Sequence, residues 1–359
     1  MSLPSCSHKQ LSLPERRTLL HTGSLLLCWR PKAHTELNIS YHKHHVRPRA
    51  QRSCKASAAA PNVGKQPSEG VDLNPQEVMS RDEVISLVGL GSWRLRPFMA
   101  PAFETLGAHI EGAWRHLPLG SLQIFPVEPD LQYCDSADPE GKRRDSQEPP
   151  SPGPEKGAPG WPRLQMENRC YSTRAFRKMH LELAHRQDDL QVLHAVIFPR
   201  LEYDIPILSM DMVGKGNQVS LCIIDPCPVR LDRSIPGFFR EITLHLQSQL
   251  GLSSNRQTPE WGKAIFSDLC LLMRPTSPQD LAGFLKYAIA LHQAYLTSFA
   301  NATPVVNNRE ARLAGIAASH QRYALHQRQN DRTRKVLQAS FNPAFTERYM
   351  NEVLFDFHK

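Results

Sequence analysis

Three short segments carry side chains that could move protons. FRKMHLELA (176–184) reads as a β-strand, in which period-two alternation puts His180 and Glu182 on one face and Met179, Leu181 and Leu183 on the other. DLQVLHAVIFP (189–199) sets His194 in a row with Leu190, Val192, Val196 and Phe198. DIPILSMDMVG (204–214) sets Asp211 in a row with Ile205, Ile207, Ser209 and Val213. If these faces line one cavity, it holds two histidines and two carboxylates between apolar walls. Low polarity and mutual coupling shift proton affinities, which suits proton donation. The competing reading is structural: a histidine in an apolar row is commonly a satisfied core residue, Asp211 could cap a loop, and Glu182 could pair with an arginine. Pattern alone leaves these two readings balanced. No metal site is expected, because the single HxE is the only ligand-like spacing and none of the eight cysteines forms a CxxC pair.

The elements around these segments define the scaffold. RLQMENRCYS, AFRKMHLELA, DLQVLHAVIFP, DIPILSMDMVG and NQVSLCIID (163–225) are strand-like runs with short joins, including a hairpin turn at GKGN (214–217). Joins so short require mostly antiparallel pairing. The chain then becomes helical. IPGFFREITLHLQSQLG (235–251) ends on a glycine cap. The next helix starts with Ser277 as N-cap and Pro278 at its first position, with Leu281, Phe284, Leu285 and Ala288 as its buried stripe. Two further helices are predicted over 308–328 and 332–355, and helical spacing also runs through FMAPAFETLGAHIEGAW (98–114). The fold class is therefore α+β, in its three-layer α/β/α form if helices cover both faces of a central antiparallel sheet.

The formal charge of +8 on 359 residues misleads as a whole-chain number. Residues 1–60 hold ten Lys and Arg against two acids, which leaves 33 of each sign in the remainder. A nucleic-acid binder is expected to keep its basicity in the folded part, so that class is disfavoured. No run is long and apolar enough for a membrane span. The basic, acid-poor leader, closing on AQRSCKASAAAP, has the composition of an organellar transit peptide; a basic tail that stays attached is the alternative. The expected division is a transit peptide over 1–60, a linker over 61–80 and one domain over 81–359. A Pro-, Gly- and charge-rich insertion at about 133–163 interrupts that domain and has nothing to bury in a core.

Four blocks resemble one family. ENRCYSTRAFRKMHLELA (167–184), LHAVIFPRLEYDIPILSMDMVG (193–214), WGKAIFSDLCLLMRP (261–275) and QNDRTRKVLQASFNPAFTERYMNEVLFD (329–356) look like the ferredoxin-dependent bilin reductases. The likeness is close over roughly 160–359 and loose over 85–132. It implies an α/β/α sandwich that holds biliverdin IXα between the sheet and the C-terminal helices. It also implies no bound metal or organic redox cofactor: reduced ferredoxin is the external electron donor, and side chains supply protons.

Carried over by position, the resemblance makes Asp211 the first proton donor beneath the pyrrole nitrogens and His194 the histidine that shares its proton. Glu182 would stand beside the D-ring vinyl group, and His180 would reach the aspartate through water. Asp331 would be a further catalytic acid on the helical side, with Asn330 beside it; Asp331 also reads as a helix N-cap before RTRKVLQ. Arg256 and Arg332 match positions that grip the substrate propionates, though either could be an ordinary surface cation. The presence of both His194 and Glu182 favours the four-electron route to phycocyanobilin. A two-electron reductase and a non-catalytic bilin carrier remain as alternatives. Ferredoxins are acidic, so Lys178, Arg200 and Lys215 near strand ends are docking candidates. Nothing demands a subunit interface, so a monomer is expected; the leader's composition does not separate plastid from mitochondrion, but a transit peptide ahead of a bilin reductase points to the chloroplast.

Overall fold

A computed structural model describes residues 93–117, 121–138, 155–305 and 309–357. The proposed transit peptide and linker (1–60 and 61–80) lie outside the described residues, as do positions 139–154 of the insertion.

The strand-like runs form the expected meander. β3 (Leu164–Ser172), β4 (Phe176–Arg186), β5 (Leu190–Pro199), β6 (Ile207–Lys215) and β7 (Gln218–Cys227) pair in sequence order, each antiparallel to the next. The β6–β7 turn leaves Gly216 and Asn217 between the paired Lys215 and Gln218, and Gly216 takes φ +55° as such a turn requires. β8 (Leu271–Met273) returns along the outer edge of β7. Two short strands share the outer edge of β3: β1 (Gln123–Ile124) at one end, β2 (Tyr133–Asp135) at the other.

β2 corrects the reading of the insertion. Residues 133–135 are a sheet strand, with Cys134 and Asp135 buried, and Arg163 at the far end of the segment is buried against the Asp135 carboxylate. The insertion is thus closed by an ion pair at its base, joining two residues that composition alone assigned to solvent.

Alternation along the strands sends two apolar sets to opposite faces. Met179, Leu181, Leu183, Leu193, Leu208 and Met210 pack under α1 (Pro101–Arg115), α3 (Gly237–Gln249) and α5 (Pro278–Phe299). On the other face Ala184, Val196, Phe198, Ile207 and Ile223 meet α6 (Arg309–Gln327), α7 (Asp331–Ser340), α8 (Pro343–Tyr349) and a π-turn over Met350–Leu354. This is the three-layer α/β/α sandwich, with small helices α2 (Pro129–Gln132) and α4 (Glu260–Lys263) at its margins. α5 begins with a capping box: Ser277 Oγ accepts from the Asp280 N–H at 3.1 Å, and the Asp280 carboxylate accepts from the Ser277 N–H at 3.1 Å. No helix among the described residues is long and apolar enough to cross a membrane.

The predicted helix over 332–355 is instead three pieces. Proline cannot donate in a helix interior, and its ring crowds the preceding turn. The chain therefore stops at Ser340 and restarts at Pro343, where Asn342 Oδ1 caps the Phe345 N–H at 2.8 Å. The break turns the C-terminal segment inward, so that Tyr349, Leu354 and Phe355 are buried against the sheet.

One feature of the first helical layer sets an acid sensitivity. His292 on α5 is fully buried, its ring edge-on to that of His109 on α1 at 6.0 Å, and no partner among the described residues reaches either of its ring nitrogens. Burial, then the neighbouring His109, push its pKa down to about 3. The folded state keeps this ring neutral while the unfolded chain protonates it below pH 6.5, so stability falls as pH drops below that value. We expect the loss from His292 to reach ~2 kcal/mol at pH 5. Urea unfolding at pH 7.5 and pH 5 checks this: His292→Leu should shrink the difference between the two pH values by about that amount.

Candidate functional site

Antiparallel pairing places four polar side chains in one line across four strands. Asn168 on β3 is directly opposite Glu182 on β4, Glu182 is opposite His194 on β5, and His194 is opposite Asp211 on β6. All four project from the face covered by α6 to α8. Directly paired residues have neighbouring Cβ atoms, so the row forms one electrostatic unit.

Its strongest link is 2.6 Å from His194 Nδ1 to Asp211 Oδ1. Burial alone would lower the proton affinity of His194, but Asp211, through charge and hydrogen bond, and Glu182, through charge, outweigh it and hold the imidazole pKa above its ordinary value. Glu182 is shifted up as well: burial dominates, opposed by His194 and by a hydrogen bond with the Tyr349 hydroxyl. Asp211, with 28% of its side chain exposed, is the most open member of the pair. Above these three groups lies a cavity of about 690 Å3, within the usual size range of small-molecule sites. Its floor includes Glu182, His194 and Asp211, its roof runs from Gln329 to Thr333 with Leu354 and Phe355, and Trp261 and Phe266 stand in its wall.

His180 occupies a different place from the one expected. It lies on the right face, its ring 5.6 Å from that of His194, but it is fully buried and does not line the cavity. Its Nε2 is 2.8 Å from Asn168 Oδ1. Asn168 is oriented by its own Nδ2, which donates to the Leu131 carbonyl at 2.7 Å, so Oδ1 must accept and His180 must carry its proton on Nε2. Burial, then the charges of Lys178 and His194, push the His180 pKa well below its ordinary value, so the ring is neutral.

Of the other candidates, Asn330, Asp331 and Arg332 lie at the N-terminus of α7 and line the cavity from the helical side. The helix cap is Asn330, whose Oδ1 accepts from the Arg332 N–H at 3.1 Å, and not Asp331, whose exposed carboxylate is left to the cavity. Arg256 lines the wall as a half-buried cation and donates to the Ser220 carbonyl at 3.2 Å. Arg274, exposed and also lining the cavity, was not singled out by the sequence, although it stands within the third family-like block.

Comparison with known proteins decides the family. The sequence profile of the ferredoxin-dependent bilin reductases matches residues 110–356. This chain belongs to the ferredoxin-dependent bilin reductases. It is 38% identical over 263 residues to the phycocyanobilin:ferredoxin oxidoreductase of Synechococcus sp., covering 73% of this chain and 95% of that one. To the phycocyanobilin:ferredoxin oxidoreductase of Trichodesmium erythraeum it is 37% identical over 194 residues, covering 54% and 77%. The fold resembles that of tomato phytochromobilin synthase, solved in complex with biliverdin, with a TM-score of 0.53 at 15% identity over 70% of this chain and 81% of that one.

One expectation for this bilin reductase is overturned. Lys178 cannot dock an acidic partner, because it is completely buried: its ammonium donates to the Val353 carbonyl and, at 2.8 Å, to Asp356 Oδ1. Alternation already put Lys178 on the inward face with His180 and Glu182. Arg200 is half-buried, with its guanidinium donating to the Thr173 carbonyl at 3.0 Å, whereas Lys215 is exposed 3.3 Å from Asp188.

Proposed function

We propose that this bilin reductase binds biliverdin IXα in the cavity and reduces it by four electrons to phycocyanobilin. Reduced ferredoxin delivers the electrons one at a time, and the Glu182–His194–Asp211 row supplies protons. The observation that carries this reading is the row itself, three coupled proton-holding groups in adjacent register beneath one largely apolar cavity. A carrier would need only the walls; a reductase also needs protons available beside each electron, four of each for this product.

Asp211, the open member of the pair, protonates the bilin, and His194 refills it through the 2.6 Å hydrogen bond. Glu182 retains a proton at neutral pH more readily than an exposed carboxyl and serves the other end of the substrate. The aromatic wall of Trp261 and Phe266 suits a planar conjugated ligand. The share of chain in common with the two cyanobacterial relatives favours phycocyanobilin as the product. A leader of organellar transit-peptide composition over residues 1–60, standing ahead of a ferredoxin-dependent reductase, supports delivery to a plastid, where reduced ferredoxin is available.

Arg256, Arg274 and Arg332 supply the cationic part of the wall, and guanidinium forks match carboxylates. Arg256→Gln and Arg274→Gln should each raise the KM for biliverdin by roughly tenfold with little change in kcat, because the propionates are gripped equally in ground and transition states. Steady-state kinetics at fixed ferredoxin tests this.

The function itself is tested anaerobically with biliverdin IXα, ferredoxin and a reducing system, following absorption and identifying products by chromatography. Phycocyanobilin is expected. A phytochromobilin-type product would keep the family and overturn the four-electron assignment. Bound but unchanged biliverdin, with a ferredoxin shown to be competent, would overturn catalysis.

A further inference from the structure

We propose that Asp225 and Arg233 are positioning residues that clamp the peptide group between Phe266 and Ser267 at its two ends, and so fix the Trp261–Phe266 wall for the bilin. The proposal rests on the proposed function for the identity of the ligand. The clamp itself rests on geometry.

Asp225 lies on β7 beside the row of proton-holding groups and takes no part in it. Ile223, opposite Asp211, lines the cavity; Asp225 points to the same face two residues further on, opposite Ser209. It is completely buried and does not line the cavity. Both of its carboxylate oxygens turn to one residue. Oδ2 accepts from the Ser267 N–H at 3.0 Å, and Oδ1 accepts from the Ser267 hydroxyl. The Ser267 oxygen in turn accepts from the Leu269 N–H at 3.0 Å, so its own hydrogen goes to Asp225. Burial pushes the Asp225 carboxyl up to about 6, which leaves it ionised at pH 7.5 and makes both hydrogen bonds charge-assisted.

The other end of the same peptide group is held from the loop after β7. Arg233 Nη2 donates to the Phe266 carbonyl at 2.5 Å, and Nη1 donates to the Lys263 carbonyl at 3.0 Å. Arg233 takes φ +60°, a left-handed conformation that is uncommon for a residue with a Cβ. A peptide group held at its oxygen by a guanidinium and at its hydrogen by a carboxylate cannot turn, and the Phe266 ring is aimed by it. α4 closes the corner. The Phe266 N–H donates to the Gly262 carbonyl at 2.8 Å, and a Cβ at Gly262 would stand 2.6 Å from Phe266 Cε2. The ring therefore lies against the α4 backbone, with Trp261 edge-on at 5.5 Å, and both aromatics line the cavity. A wall grips a planar ligand only as firmly as its own rotamers are held, so the clamp makes two side chains into a preorganised surface.

The fluorine spectrum of the full-length protein labelled with 5-fluorotryptophan reads this corner without substrate. The chain has five tryptophans, and the Trp261 resonance is assigned by its loss in Trp261→Phe. Trp93 and Trp114, assigned in the same way, sit in the core on the other side of the sheet and report general packing. Asp225→Asn keeps the shape but leaves one acceptor oxygen for two donors. The Trp261 resonance should shift or split while those of Trp93 and Trp114 stay in place. The KM for biliverdin should rise about tenfold with little change in kcat, because the wall contacts ground and transition states alike. Ser267→Ala should act in the same direction, and adding it to Asp225→Asn should cost little more, since the two share one contact. An unmoved Trp261 resonance in both single variants overturns the proposal. So does a KM within twofold of the parent, or a shift of all three resonances together, which marks a general disturbance. A parent enzyme that does not bind biliverdin would sink the proposed function, and the fluorine spectra would still decide the clamp.

Discussion

Asp211→Asn is expected to lower bilin turnover by ~10²–10⁴ while biliverdin binding persists, because a positioned general acid contributes about that factor. The amide has the shape of the carboxyl and leaves the cavity floor in place, but it has no acidic proton to give. The damage extends to its neighbour. His194 owes its raised pKa to the charge and hydrogen bond of Asp211, which offset the cost of burial. Without that carboxylate, burial prevails, the imidazole loses its proton at lower pH, and the reserve behind Asp211 is emptied. The alkaline limb of the turnover profile should therefore move to lower pH. For the same reason His194→Gln/Asp211→Asn should be little worse than Asp211→Asn alone, since groups that act as a unit are not additive. Anaerobic turnover at saturating reduced ferredoxin, with binding followed by bilin absorbance, measures both. Turnover within tenfold of the parent enzyme would remove Asp211 from the role of principal donor.

Much of this site is legible in the sequence because strand alternation is a rigid rule. The faces of β4, β5 and β6 follow from one apolar residue in two, which is why Glu182, His194 and Asp211 emerge on the cavity side. Their alignment into a row is less legible. Register depends on where each turn closes, and the β4–β5 turn relies on Asp189 in a left-handed conformation, φ +67°, which the sequence does not advertise. Lys178 shows the opposite failure: its parity with His180 was plain, yet its position near a strand end and its charge suggested solvent. What reversed that was a partner 178 positions away. No local pattern records such a contact. The FNPAF stretch, by contrast, did hold its signal. Asn followed by Pro marks a new helix start, and reading it as continuous helix hid the inward turn that delivers Tyr349 and Phe355.

The largest stability effect should come from that distant pair. Asp356 is almost wholly buried, 2.8 Å from the Lys178 ammonium and 2.6 Å from the Arg177 guanidinium. Asp356→Ala strands the Lys178 charge in the interior with no anionic partner, only the Val353 carbonyl dipole and the face of the Phe125 ring, and breaking a buried pair from one side costs ~3–5 kcal/mol. Lys178→Met should cost less, because Asp356 keeps Arg177, and Arg177 is partly exposed to water. Lys178→Met/Asp356→Leu should recover most of the loss of Asp356→Ala, since an apolar pair of similar volume carries no stranded charge. Chemical denaturation at pH 7.5 ranks the three; an Asp356→Ala variant within ~1 kcal/mol of the parent would show the lysine finding another route to solvation. The consequence reaches the site. Asp356 follows Phe355, whose ring stands edge-on to His194 at 6.0 Å and whose carbonyl accepts from Arg328 at 2.6 Å. Lys178 therefore fastens the roof of the cavity to the same strand that carries Glu182. A folded Asp356→Ala protein should bind biliverdin more weakly than either lysine-substituted variant, because the segment over His194 has lost its anchor while Glu182, His194 and Asp211 are still in place.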